Sequence, residues 1–148
     1  MIKKLLIAAI AMLALAVQGG IYAPEQDVIA HLQQDGVPYV ISKFKGHDEI
    51  KAKASDGIVH VLFNAQGEAV EMSFLCQMCG EQIPKEDIDQ LKSTYPVQWK
   101  PYQADDTFVS FISDDNRMIM MVGVHKPLVI LTTEEGLAIH EAADGVKL

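Results

Sequence analysis

The chain has 148 residues, 20 Asp and Glu against 12 Lys and Arg, a formal charge of −8 and 49% hydrophobic residues. A chain of this size holds one compact domain with a real core, and its acidity argues against nucleic acid or an anionic membrane surface as a partner. No low-complexity segment marks a disordered tail.

In chain order, the first stretch is MIKKLLIAAIAMLALAVQGGIYA. Lys3 and Lys4 give a positive start, Leu5 to Val17 an unbroken apolar run, and Gln18 to Ala23 a polar, small-residue exit. That is the layout of a secretory signal peptide over residues 1–23, with an apolar run too short for a membrane-spanning helix. Cleavage is expected after Ala23, although Ile21 is larger than the residue an A-x-A pattern places there. No cysteine lies near the junction to carry a lipid anchor. The expected mature protein is soluble and periplasmic, free of the membrane after cleavage, and carries a charge of −10, from 10 Lys and Arg (12 less Lys3 and Lys4) against 20 acids.

PEQDVIAHLQQDG opens with Pro24, carries acids in its first turn, spaces Val28, Ile29 and Leu32 as one helix face, and stops at Gly36. VPYVISKFKG follows, then EIKAKAS, whose Ile50, Ala52 and Ala54 alternate with Lys51 and Lys53 as in a half-buried strand. Ser55-Asp56-Gly57 supplies a turn, IVHVLFN a third strand, and AQGE a second turn into AVEMSFL. From Pro84 the pattern returns. PKEDIDQLKSTYP repeats the opening Pro and acidic first turn, setting Asp87 and Ile88 against Asp27 and Val28. The strands VQWKPYQ, TFVSFIS, MIMMVGV and LVILTT follow. Self-similarity at a period of roughly sixty residues predicts a repeated helix-plus-strands unit. TTEEGLAIHEAADG closes the chain as a short C-terminal helix, with Thr132 and Glu135 as a capping box and Gly145 as the stop. The expected class is α+β: two helix-plus-antiparallel-strand repeats, helices packed on one face of a continuous antiparallel sheet. The units span 24–75 and 84–148, joined by a linker over 76–83.

The stretch from Val28 to Met72 resembles a PepSY-type domain in its helix, its charged-apolar alternation EIKAKA and its Gly67-Glu68 turn. IPKEDIDQLKSTYPVQWKPYQADDTFVSFISDD is similar to the PepSY-like domains found in tandem, related in fold to the secreted beta-lactamase inhibitor protein. The resemblance implies an exported, non-catalytic module that binds a protein or peptide, in some cases inhibiting an enzyme. It implies no catalytic residues and no cofactor.

The only two cysteines, Cys76 and Cys79, lie in FLCQMCGEQIP between the units. In an oxidising compartment such a pair forms a disulfide, and one closing so small a ring acts locally, fixing the reversal before the second helix. Two other chemistries stay open. A redox dithiol wants its first Cys at a helix N-terminus, and here Gly80 and a polar stretch stand before Pro84. A copper site has soft ligands at hand in Cys76, Met78, Cys79 and, from the second unit, His125. For a zinc knuckle the second Cys pair is missing. The chain has no Gly-rich phosphate loop, no G-x-S-x-G and no HExxH, so an enzyme is the least favoured class. Asp105-Asp106 and Asp114-Asp115 read as turn formers. The partner-binding candidates are the aromatics Tyr39, Trp99 and Tyr102, with Phe44 beside them.

Overall fold

A computed structural model describes residues 21–145 of the chain, with side chains as far as 141. The element order is α1 (Glu25–Gln34), β1 (Tyr39–Phe44), β2 (His47–Ala54), β3 (Gly57–Phe63), β4 (Ala69–Cys76), α2 (Lys85–Thr94), β5 (Trp99–Ala104), β6 (Phe108–Ser113), β7 (Ile119–Gly123), β8 (Leu128–Thr132) and α3 (Glu134–Gly145). All eight strands form one antiparallel sheet in the order β1-β2-β3-β4-β8-β7-β6-β5. Its centre is the β4–β8 pair, with Phe74 opposite Val129 and Met72 opposite Leu131.

Local chemistry explains the elements. Pro24 and Pro84 stand just before α1 and α2, where a missing N–H costs no helical hydrogen bond. Tight hairpins join β1 to β2 and β2 to β3. The first places Lys45 and Gly46 at positive φ (55° and 85°), the twist a two-residue hairpin needs. At the head of β3, Gly57 lies opposite Cys76 on β4, and a Cβ there would stand 2.1 Å from the Leu75 carbonyl oxygen.

Strand alternation divides the sheet into two faces. Ile50, Ala52, Val59, Val61, Met72, Phe74, Met120, Val129 and Leu131 are buried in one cluster with Val28 and Leu32 of α1 and Ile88 and Leu91 of α2. Residues between them in sequence, among them Ile58, Leu75, Leu128, Ile130 and Met121, point to the other face and are half-buried. A β-bulge between Leu62 and Phe63 turns Val70 to that second face, where it packs with Leu62 and with Ile139 of α3.

The third helix starts one residue later than the capping-box reading places it. Thr133 is the cap: its Oγ1 accepts the Gly136 N–H at 3.0 Å and donates to the Val70 carbonyl at 2.9 Å. Thr132 ends β8 and donates its hydroxyl to Glu71 instead, because the last strand residue faces the sheet and not the helix. Glu71 also meets His140 at 2.8 Å, and Asn64 Nδ2 donates to Glu135, so polar contacts fasten α3 to the sheet. The leader reading lies outside the described residues except for Ile21, Tyr22 and Ala23.

Candidate functional site

Cys76 and Cys79 are joined as a disulfide, with Cα atoms 5.6 Å apart. Cys76 ends β4 and is buried; Cys79 is half-buried, and Met78 between them is 67% exposed. The loop that follows Cys76 is pinned from both sides. Cys76 N–H donates to the Pro127 carbonyl in the β7–β8 connection, and Gln77 N–H donates to the Asp56 carbonyl in the β2–β3 turn. Lys53 Nζ donates to the Gln77 side chain at 3.2 Å.

The Gln77 bond ties this loop to the backbone of Asp56. A carboxylate in a two-residue hairpin turn is usually solvated, yet Asp56 is only 1% exposed and neither carboxyl oxygen has a hydrogen-bond partner. Burial pushes its carboxyl above the ordinary range, against the weaker opposing pull of its own backbone N–H. By contrast the turn acids of the second half behave as the sequence indicates. Asp105 accepts the Thr107 and Phe108 N–H groups, and Asp115 accepts the Ser113 hydroxyl and the Arg117 N–H. These bonds hold both carboxyls below the ordinary range. Sequence reasoning missed Asp56, because a Ser-Asp-Gly turn gives no signal of a buried carboxyl.

Of the four copper candidates, the disulfide engages Cys76 and Cys79, and its sulfurs are not thiolates in that state. His125 is exposed in the β7–β8 connection, next to the residues that contact Cys76. Among the described residues no three His, Cys, Asp or Glu side chains converge as a metal site.

The aromatic candidates separate. Tyr39 begins β1 and packs on the helix-side core, its hydroxyl accepting from Gln33 of α1 at 3.0 Å. Trp99 begins β5, packs on the same core, donates Nε1 to the Lys92 carbonyl of α2 at 3.2 Å and meets Tyr95 edge-on. They sit at opposite edges of the sheet. Tyr102, also on β5, is 49% exposed. Phe44 is half-buried beside His140.

The second sheet face offers a different surface, built from aliphatic side chains and a methionine. Ile58, Leu75 and Leu128 lie in register across β3, β4 and β8, and Ile130 and Met121 continue it on β8 and β7. Toward the β1 edge, exposed Val40 and Ile58 line a shallow hollow of about 200 Å³ with Lys51 and Lys53. No helix among the described residues is long and apolar enough to cross a membrane. No family model, no curated protein and no solved structure matches the chain.

Proposed function

We propose that the protein is an exported, non-catalytic binding module that takes a protein or peptide partner on the face of the sheet opposite α1 and α2. The observation that carries this reading is the band Ile58, Leu75, Leu128, Ile130 and Met121. These are large apolar side chains on adjacent strands, left half-exposed where a second helical layer would have buried them. Lys51 and Lys53 flank the band in an acidic chain, so the fitting partner surface is apolar with carboxylates at its margin. Inhibition of an enzyme is one form such binding takes.

The paired-unit reading accompanies it. Each half runs helix then four strands, and the last strand of each half meets the other at the sheet centre. Tyr39 and Trp99 hold equivalent places, each opening the first strand after a helix and bonding back to that helix. These correspondences support two PepSY-like units with both helices on one face.

The test is site-specific photocrosslinking in the periplasm of the source cell. A crosslinker replacing Ile130 is expected to yield one discrete adduct, and one replacing exposed Gln90 on α2 to yield none. Equal labelling from both positions, or none from Ile130, sinks the proposal.

One observation favours a second reading, thiol–disulfide exchange at Cys76–Cys79. Asp56, whose carboxyl is buried and whose backbone carbonyl accepts the Gln77 N–H of the disulfide loop, would hand a proton to a leaving thiolate when a partner dithiol reduces the bond. If so, the pH dependence of the reduction midpoint, measured against a dithiol buffer, changes in Asp56→Asn. Identical slopes in the two proteins discard it.

A further inference from the structure

The residues that would be lost by cleavage after Ala23 belong to the folded domain. Ile21 is 6% exposed and Ala23 2%, both inside the main core cluster. Tyr22 between them packs against both clusters and carries the Arg117 guanidinium 5.9 Å above its ring. The backbone is tied in as well. Ala69 N–H donates to the Ala23 carbonyl at 2.9 Å, Glu25 N–H donates to the Gly67 carbonyl at 2.8 Å, and Pro24 bridges to Glu68. A cut after Ala23 would remove a buried isoleucine and replace the Ala23–Pro24 amide with a charged terminus against the β3–β4 turn.

The chemistry of that bond is equally unfavourable. The nitrogen leaving Ala23 would be the ring nitrogen of Pro24, a tertiary amide whose ring restricts the residue before it and crowds the approach to the carbonyl. Ile21, three places before the cut, is β-branched where a leader-removing protease accepts a small side chain. Seven residues upstream the sequence offers what that protease reads: Ala14-Leu15-Ala16, small side chains at both selective positions, directly after the apolar run Leu5 to Leu13.

We propose that the leader is removed between Ala16 and Val17, giving a mature chain of 132 residues (148 less 16) that keeps Ile21, Tyr22 and Ala23 as structural residues. In the cleavage, water hydrolyses the Ala16–Val17 amide, leaving a carboxylate on Ala16 and an amine on Val17. The inference rests on the export reading and revises where the mature domain begins.

The experiment is expression of the full chain in a Gram-negative host, followed by intact mass and N-terminal sequencing of the protein recovered from the periplasm. The expected N-terminus is Val17, and Ala16→Tyr is expected to leave the chain uncut. A start at Pro24, or at any residue other than Val17, overturns the site, as does normal processing of Ala16→Tyr. A wild-type chain that keeps Met1 and stays in the cytoplasm overturns the export reading instead, and fractionation tells that failure from the others.

Discussion

Phe74 and Leu75 are neighbours on one strand, one 1% exposed in the main core cluster and the other half-exposed on the far face. The strands that carry them are shared, so the difference lies in what is docked on each side. The near side is buried in one cluster that includes Val28, Leu32, Ile88 and Leu91, with Tyr39 and Trp99 packed against it. The far side is closed at one end, where α3 covers Leu62 and Val70. Alternation sets which way a residue points; only a docked layer decides whether pointing inward means being buried.

The sharpest way to break that contrast is to truncate both neighbours. Phe74→Ala is expected to cost about 3–5 kcal/mol in urea unfolding, while Leu75→Ala costs less than about 1 kcal/mol. Equal losses would mean that the far face is packed as tightly as the near one. Replacing both cysteines with alanine should cost about 2 kcal/mol at most, since the disulfide closes a ring of very few residues. A larger loss would show that the loop after Cys76 holds the sheet end together.

Smaller effects sharpen the picture. Thr133→Ala removes the cap of α3 and is expected to cost about 1 kcal/mol, with faster hydrogen exchange at the Leu137 N–H that bonds to the Thr133 carbonyl. Unchanged exchange would mean that Leu62, Val70 and the Glu71 and Asn64 contacts hold the helix without its cap. Asp56→Asn should stabilise the fold by about 1 kcal/mol at neutral pH, because a buried carboxyl without a partner resists ionisation. The sign follows from its raised folded pKa. The wild type is at no disadvantage below about pH 4, where the unfolded carboxyl is also protonated, and falls behind as pH rises through the folded value. A gain independent of pH would assign the effect to packing. Leu75→Asp, which sets a charge within the apolar band, is expected to cost about 1 kcal/mol or more, and its use is in binding: it should abolish the adduct from Ile130.

Much of the fold is legible in local pattern. Pro24 and Pro84 ahead of acidic first turns mark α1 and α2, and the alternation Ile50, Ala52, Ala54 marks β2, because capping and side-chain period act within a few residues. The candidate site is less legible. Tyr39 and Trp99 look like partner anchors in sequence, yet they pack on the helix side and bond to α1 and α2, since aromatic character does not reveal which face a strand end presents. Thr132 and Thr133 are adjacent hydroxyls, and which one caps α3 depends on where β8 releases the chain.

By itself the sequence determined the elements, their α+β order and the cysteine pair between two similar stretches, all set by short-range stereochemistry and periodicity. The tertiary structure decided the rest: the joining of the halves through β4 and β8, the burial of Asp56 in its turn, and the inclusion of Ile21 and Ala23 in the core. Each of these depends on contacts between residues far apart in the chain, where burial is fixed by what arrives opposite and not by the residue's own neighbours.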